Sequence, residues 1–364
     1  MLYGLGGGYL GYRIFKITSR IELGILFLTV SISAGIAAID RRTYETYHLI
    51  SQIDIMGHAA RAMVIFCLAM MFGLFSQADK IRLATLGLVG VSAINQTISL
   101  YQHFILGNPN WQSSGFLPNY SMASCMVAIV FPLALHQIVA YDIPKWWRPV
   151  ASTAALTAIP TVIISKSSIG YASFAVMFCA IILGWGFVFA RKQIMNGVMV
   201  CIMFLTGVFF TGNLIDPQWS RFLEISRFKM WPAIFDFWLN NGSFWFGMGL
   251  GAFRHFGSVI QTQINVEVGH WWLWAHNDWL QVLFETGVIG LSATILVVVA
   301  ALWSAIKACR IDLFASIVAI CVVSAGNYPL RLAEFVVTVT IVMTAALRLP
   351  RVRGFQWKKF YLHF

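Results

Sequence analysis

The sequence predicts an all-α membrane protein, a polytopic transmembrane helix bundle that forms a single membrane domain over residues 1–364. Hydrophobic residues make up 59% of the chain and charged residues only 11%, and apolar runs of membrane-spanning length recur along it. A soluble domain averages about 25% charged residues, so this chain could not cover a water-facing surface of its size. Because each span needs roughly 20 apolar residues, about ten spans and their connections use up the chain.

The candidate spans follow one another with short connections. They cover residues 21–39, 56–76, 83–104, 119–141, 149–165, 168–190, 195–211, 279–304, 312–328 and 331–348. If the N-terminus lies inside, most of the 25 basic residues fall in the internal connections, as the positive-inside rule requires. We therefore expect both termini on the cytoplasmic side.

Composition also bears on the other classes of function. The net charge of +11 does not indicate nucleic-acid binding, because the basic residues form short clusters between apolar runs and no continuous stripe with interleaved aromatics. The six cysteines are scattered without a Cys-x-x-Cys pair, so neither a zinc site nor a disulfide framework is indicated. The N-terminus lacks a cleavable signal pattern, and we expect the first span to act as the insertion signal.

Residues 212–278 form the one long connection, which the topology places outside the cytoplasm. The loop is rich in tryptophan, a residue that prefers the headgroup layer of a bilayer. Residues 221–231 mix charges with large apolar side chains at short spacing, which is typical of a helix lying in the interface. We therefore expect the loop to lie on the membrane surface.

The motif His276-Asn277-Asp278 closes this loop and opens the hydrophobic helix that follows. A histidine at the mouth of a membrane helix has water on one side and a low-dielectric wall on the other. That setting suits proton transfer, because imidazole titrates near neutral pH. His276 could equally be structural, and Asn277 or Asp278 could cap the helix.

Glu285 lies about two turns into the hydrophobic helix that follows. An acidic group at that depth is costly unless paired, and Arg331 is its candidate partner.

Two further patterns lie near the outer face. The glycines of residues 247–251 follow no strand, so they are not a nucleotide-binding fingerprint; they form either a tight turn or, around Gly249, a close backbone approach to a ligand.

Several basic residues on this side carry no topological benefit, and each either pairs with a nearby carboxylate or binds an anion. They include Lys166, Arg221, Arg227 and Arg254. Lys166, in a turn between two spans, could also simply snorkel to the surface.

The order of these features resembles the O-antigen ligase and Wzy-type polysaccharide polymerase superfamily, the membrane glycosyltransferases of bacterial surface polysaccharides. The resemblance covers roughly residues 110–345. The matching segments are residues 115–119, 165–168, 227–233, 247–253 and 275–281, together with Glu285, Gly287 and Gly290. Lys166 stands where the family usually has an arginine, so a diphosphate is held less rigidly there or another arginine shares the role.

The resemblance implies that a glycan on undecaprenyl diphosphate is transferred to an acceptor hydroxyl at the outer face of a bacterial inner membrane. It implies His276 as the general base. The diphosphate would be held by Arg227 and Lys166, with Arg254 or Arg221 in reserve. The site would be supported by Asn277, Asp278, Glu285, Arg331 and Gly249. Because a diphosphate is a good leaving group, we expect no metal ion or other cofactor, and direct displacement should invert the anomeric centre.

Several functions stay open at this point. A ligase joins the glycan to a lipid core, whereas a polymerase joins it to another repeat unit on the same kind of carrier, and both need the same base and the same cations. A transporter or flippase without chemistry is a further alternative, as is a non-catalytic assembly protein. The ionisable residues lie at the outer ends of spans and away from their midpoints, which disfavours transport.

Overall fold

The computed structural model describes residues 78–109, 112–117, 119–140, 143–189, 226–264 and 273–348, and this part of the chain is built from helices. The helices are α1 (Ala78–Phe104), α2 (Tyr120–Val139), α3 (Arg148–Ser165), α4 (Ser168–Phe189), α5 (Ser226–Asn241), α6 (Ala252–Gln263), α7 (Asp278–Lys307), α8 (Ile311–Gly326) and α9 (Ala333–Leu347), with 3-10 turns at Lys145–Trp147 and Pro329–Arg331. This architecture agrees with the predicted helical membrane protein.

The helices α1 to α4 and α7 to α9 coincide with predicted spans to within a few residues. The segments Ile81–Phe104, Tyr120–Val139 and Asp278–Lys307 are long and apolar enough to cross a membrane. Shorter apolar helices occur at Ser168–Gly184, Ile311–Gly326 and Glu334–Leu347. The predicted spans 21–39, 56–76 and 195–211 lie outside the described residues, so the number of spans and the inside location of the termini stay predictions.

Helix α2 lies at the centre of the bundle, where it packs against α1, α3, α4 and α8. Its residues are buried along almost the whole helix, as expected for a helix that is apolar on every face. The side chain of Asn119 caps it by accepting a hydrogen bond of 2.9 Å from the amide of Met122. The N-terminal end of this central helix lies beside the turns that follow α3 and α8.

Helices α5 and α6 form a small layer over the first turns of α7. Met230, Ile234 and Trp238 recur at four-residue spacing along α5 and are buried with Phe253 of α6 and Phe284 of α7. Burying each such side chain stabilises the layer by about 1.5–3 kcal/mol. The predicted interfacial helix is described from Ser226 onward and continues to Asn241; the sequence analysis did not anticipate α6.

Helix α7 is interrupted at Gly287, whose backbone has φ 65° and ψ −169°. The helix coincides with the span predicted over residues 279–304, but its break at Gly287 was not predicted. The carbonyls that end the first half of α7 accept hydrogen bonds from the loop of residues 243–249. The amide of Met248 donates to Phe284 at 2.8 Å, and the amide of Gly249 donates to Glu285 at 3.0 Å.

The second half of α7 begins with amides that bond to the same inserted loop. Val288 donates to the carbonyl of Phe244 at 3.0 Å, and Ile289 donates to that of Trp245 at 3.2 Å. In an uninterrupted α-helix these two amides would donate to the carbonyls four residues earlier. The loop thus pairs with these four backbone groups at the break, which makes the break compatible with burial.

Two glycines allow the loop and the helix to come this close. Gly247 has φ 73° and Gly287 has φ 65°, in the left-handed region that favours glycine. A Cβ atom on Gly247 would lie 2.6 Å from backbone atoms of Glu285 and Thr286. The glycine-rich segment therefore serves as a tight turn against α7, and the amide of Gly249 is engaged by the helix.

We expect Gly247→Ala and Gly287→Ala to destabilise the protein by about 1–3 kcal/mol each, because alanine is strained at a positive φ and overlaps backbone that cannot retreat. Gly87→Ala is the matched control, since a Cβ atom there meets nothing within 4 Å. Thermal unfolding of the purified variants in detergent measures the difference. If Gly247→Ala and Gly87→Ala unfold at the same temperature, the inserted loop does not hold α7 as described.

Candidate functional site

His276 lies in the turn immediately before α7 and has φ 51°, an uncommon conformation for a residue with a side chain and one that clusters at functional sites. Both neighbours of His276 are held. The side chain of Asn277 accepts a hydrogen bond of 3.1 Å from the amide of Leu280, so the predicted cap is confirmed for Asn277. The amide of Ala275 donates to Oε1 of Gln281 at 3.2 Å.

A third contact to this turn comes from α5. The indole N–H of Trp231 donates to the carbonyl of Ala275 at 3.0 Å. Arg227 lies one turn earlier in the same helix, so the end of α5 that carries it leads to the residue before His276. Arg221 and the side chain of Arg227 lie outside the described part of the chain.

The ring of Tyr328 packs edge-on against His276, with the ring centroids 4.8 Å apart. Trp274 stacks on the same tyrosine at 6.0 Å, and Cζ of Arg254 lies 6.0 Å from the centre of the Trp274 ring, within reach of a cation–π attraction. Arg254 and His276 are thus linked through two aromatic rings. Sequence reasoning missed Tyr328, because it occupies the last position of a predicted span.

Lys166 is exposed and ends α3 in the left-handed conformation, with φ 47°. The next residue, Ser167, is buried and donates to the hydroxyl of Ser121 at 2.9 Å. Nδ2 of Asn327 donates to the same hydroxyl at 3.3 Å. The turn that carries Lys166 is therefore tied to the residue before Tyr328, and so to the segment that contacts His276.

The carboxylates of Asp278 and Glu285 are buried in the first half of α7 and face Arg331. Nη2 of Arg331 lies 3.0 Å from Oε2 of Glu285, and its Nε lies 3.8 Å from Oδ1 of Asp278. The predicted pairing of Glu285 with Arg331 is confirmed. Asp278 does not cap the helix; it accepts a hydrogen bond of 2.8 Å from the amide of Leu330. These bonds fix the turn after α8 against α7.

The same network reaches the turn of His276 through Gln281. Nε2 of Gln281 donates to Oε1 of Glu285 at 2.9 Å, while its Oε1 accepts from Ala275. A continuous series of contacts therefore runs from Arg331 through Glu285 and Gln281 to the residue before His276. Gln281 is fully buried, so it acts by holding this turn. The sequence analysis did not single it out.

The arrangement places a half-buried imidazole next to a membrane-length helix, with a guanidinium on the far side of two aromatic rings. An imidazole in this setting can accept a proton from a hydroxyl, and a guanidinium can bind a phosphate with two parallel hydrogen bonds. Arg331 is engaged with two carboxylates, so an anion would be held by other cations.

A family model described as O-antigen ligase (Wzy_C) matches residues 153–295. The matched range contains the Lys166 turn, α5, α6 and the His276 motif, and it ends within α7 before Tyr328 and Arg331. A comparison with curated proteins finds no match.

Proposed function

We propose that the chain, whose residues 153–295 match the O-antigen ligase family model, is a member of the O-antigen ligase and Wzy-type superfamily and transfers a glycan from undecaprenyl diphosphate to an acceptor hydroxyl. Members of the superfamily are multi-pass glycosyltransferases of the bacterial inner membrane that act on lipid-linked glycans. The observation that carries the proposal is the position of His276, held in a left-handed turn by contacts from α5 and α7 and from Tyr328.

In the proposed reaction the acceptor hydroxyl gives its proton to His276 as its oxygen attacks the anomeric carbon. The bond from that carbon to the diphosphate oxygen breaks, and undecaprenyl diphosphate leaves with the electron pair. A positioned general base contributes typically 10²–10⁴-fold in rate. Because attack and departure occur on opposite faces, the configuration of the anomeric centre inverts.

The departing diphosphate gains negative charge, and cationic side chains would stabilise it. Arg254 reaches the aromatic pair beside His276, while Lys166 and Arg227 lie on segments tied to the same region. Charge-assisted hydrogen bonds from such groups are the strong kind, and they strengthen further away from bulk water. Since a lysine is only a point charge, we assign the bidentate contact to Arg254 or Arg227, with Arg221 in reserve.

We expect Arg254→Ala to lower kcat/KM for the lipid-linked donor by about 10–100-fold, because a hydrogen bond to a charged group contributes about 1.5–3 kcal/mol. The kcat/KM of Arg254→Lys should fall between those of the unmodified protein and Arg254→Ala, since lysine keeps the charge and loses the planar fork. Lys145→Ala, which removes a charge just before the opposite end of α3, is the matched control. Equal effects of the alanine and lysine variants would contradict bidentate contact.

The proposed function is tested by reconstituting the purified protein in proteoliposomes with an undecaprenyl-diphosphate-linked glycan. We expect release of undecaprenyl diphosphate that depends on an added acceptor hydroxyl, and NMR of the product should show an inverted anomeric centre. Supplying a lipid core or a second lipid-linked repeat unit as the acceptor distinguishes a ligase from a polymerase. Movement of the donor across the bilayer without release would instead identify a flippase.

A further inference from the structure

We propose that the aromatic tip of the inserted loop, formed by Phe244 and Trp245, docks into the outer lipid–water boundary of the bilayer and sets the depth of the layer formed by α5 and α6. The partner that we assign to this aromatic tip is the phospholipid bilayer itself. Contact of the tip with the bilayer does not depend on the proposed glycosyltransferase reaction, and the two are tested separately.

The aromatic tip and helix α5 together form an apolar patch around the buried ring of Trp238. Phe244 is 50% exposed and Trp245 is 57% exposed, and their rings are in contact with centroids 5.2 Å apart. Trp238 stacks on Phe244 at 5.7 Å, and Leu239 and Phe235 are exposed on the same helix. Phe235, Leu239, Phe244 and Trp245 are each about half exposed, so an apolar environment would gain for each roughly half of the 1.5–3 kcal/mol that full burial contributes.

The second half of α7 indicates where the membrane lies. From Val288 to Lys307 it contains about twenty residues, the length of one hydrocarbon core, and no ionisable side chain precedes Lys307. Ile295, Val299 and Trp303 form an exposed stripe along it. Nζ of Lys307 lies 4.7 Å from the centre of the Trp303 ring, and an aromatic side chain next to a lysine is typical of a membrane boundary.

The break at Gly287 places the aromatic tip at the opposite boundary. The carbonyls of Phe244 and Trp245 accept from the first amides of the second half, at Val288 and Ile289. The first half of α7 carries the two buried carboxylates that face Arg331, whereas the second half has no ionisable side chain before Lys307, so the second half is the part that matches the hydrocarbon core. The helix between Ile289 and Lys307 is about 27 Å long at 1.5 Å per residue, close to the thickness of roughly 30 Å of a hydrocarbon core.

Tryptophan is enriched at the headgroup level because its ring is apolar while its N–H finds water. The aromatic tip and the Trp303–Lys307 pair thus mark the two faces of one bilayer on a single helix. Because the same loop is bonded to both halves of α7, docking of the tip would hold α5 and α6 at a fixed height above the membrane.

The test places the photoreactive residue p-benzoylphenylalanine at position 245 of the full chain. The protein is reconstituted into nanodiscs of phosphatidylethanolamine and phosphatidylglycerol without any polyprenyl lipid, irradiated, and analysed by mass spectrometry for phospholipid adducts. The control carries the same photoreactive residue in place of Thr262, which is exposed on α6. Phe253 of α6 packs on the first half of α7, so this helix belongs to the layer that the docked tip would hold above the membrane. We expect a several-fold excess of adducts at position 245.

A second labelled position, in place of Leu239 on the same patch, gives an independent result if the variant at 245 does not fold, and we expect it to form adducts as well. Adducts at 245 and 239 that do not exceed those at 262 would overturn the proposal. Adducts that form only after an undecaprenyl lipid is added would also overturn it, because they would assign the patch to the donor's chain.

Discussion

His276→Asn abolishes transfer while the protein stays folded: we expect acceptor-dependent release of undecaprenyl diphosphate to fall by about 10²–10⁴-fold, the usual contribution of a general base. Asparagine is chosen because it tolerates the left-handed conformation that His276 adopts, and its amide cannot take up a proton at neutral pH. His276→Ala should lose the same activity and, in addition, some stability, because alanine is strained at a positive φ.

The measurement is single-turnover release of undecaprenyl diphosphate in proteoliposomes, together with separately measured binding of the donor. His103→Asn, which changes another histidine at the end of α1, is the matched control and should keep full activity. We expect donor binding by His276→Asn to be close to that of the unmodified protein. Transfer at the normal rate by this variant would remove the base assignment, and loss of donor binding would make His276 a binding residue.

Arg331→Met should lower the free energy of unfolding by about 3–5 kcal/mol, because it leaves two buried carboxylates without their cation. Asp278 and Glu285 are both buried, and Arg331 lies 3.0 Å from the latter. Adding Glu285→Gln to Arg331→Met should recover part of the lost free energy of unfolding, since one of the two unpaired buried carboxylates is removed. Thermal or SDS-induced unfolding of the two single variants and the double variant gives the coupling energy between the residues.

If the single effects of Arg331→Met and Glu285→Gln simply add, the ion pair contributes little and the turn of His276 is held by other contacts. Strong coupling should be accompanied by reduced transfer in Arg331→Met, because the network continues through Gln281 to Ala275. Glu334→Gln, which changes an exposed carboxylate three residues from Arg331, is the control. It should leave both stability and transfer nearly unchanged.

Composition and hydropathy were enough to predict seven of the nine described α-helices and one of the ion pairs. Apolar runs of span length locate α1 to α4 and α7 to α9, because a helix needs roughly 20 apolar residues to cross a bilayer. The Glu285–Arg331 pair followed from the high cost of an unpaired carboxylate in a membrane helix. Both inferences rest on a single segment or on a simple charge requirement, which a sequence displays directly.

The break in α7 could not be predicted, because it depends on hydrogen bonds from a loop some forty residues earlier in the chain. Gly287 alone gives no such signal, since an isolated glycine is tolerated inside a helix. Tyr328 escaped notice for a related reason: an aromatic side chain at the end of a span is common and normally faces the interface. Its contact with His276 and the link from Ser121 to Asn327 join segments that are distant in the sequence.

The most direct test of the central claim is an experimental structure of the protein bound to a non-cleavable undecaprenyl-diphosphate glycan in a lipid nanodisc. We expect the diphosphate to lie against Arg254, Lys166 or Arg227, with the anomeric carbon facing His276 across a space that admits a hydroxyl. A diphosphate bound away from these cations, or a His276 ring turned away from the anomeric carbon, would contradict it.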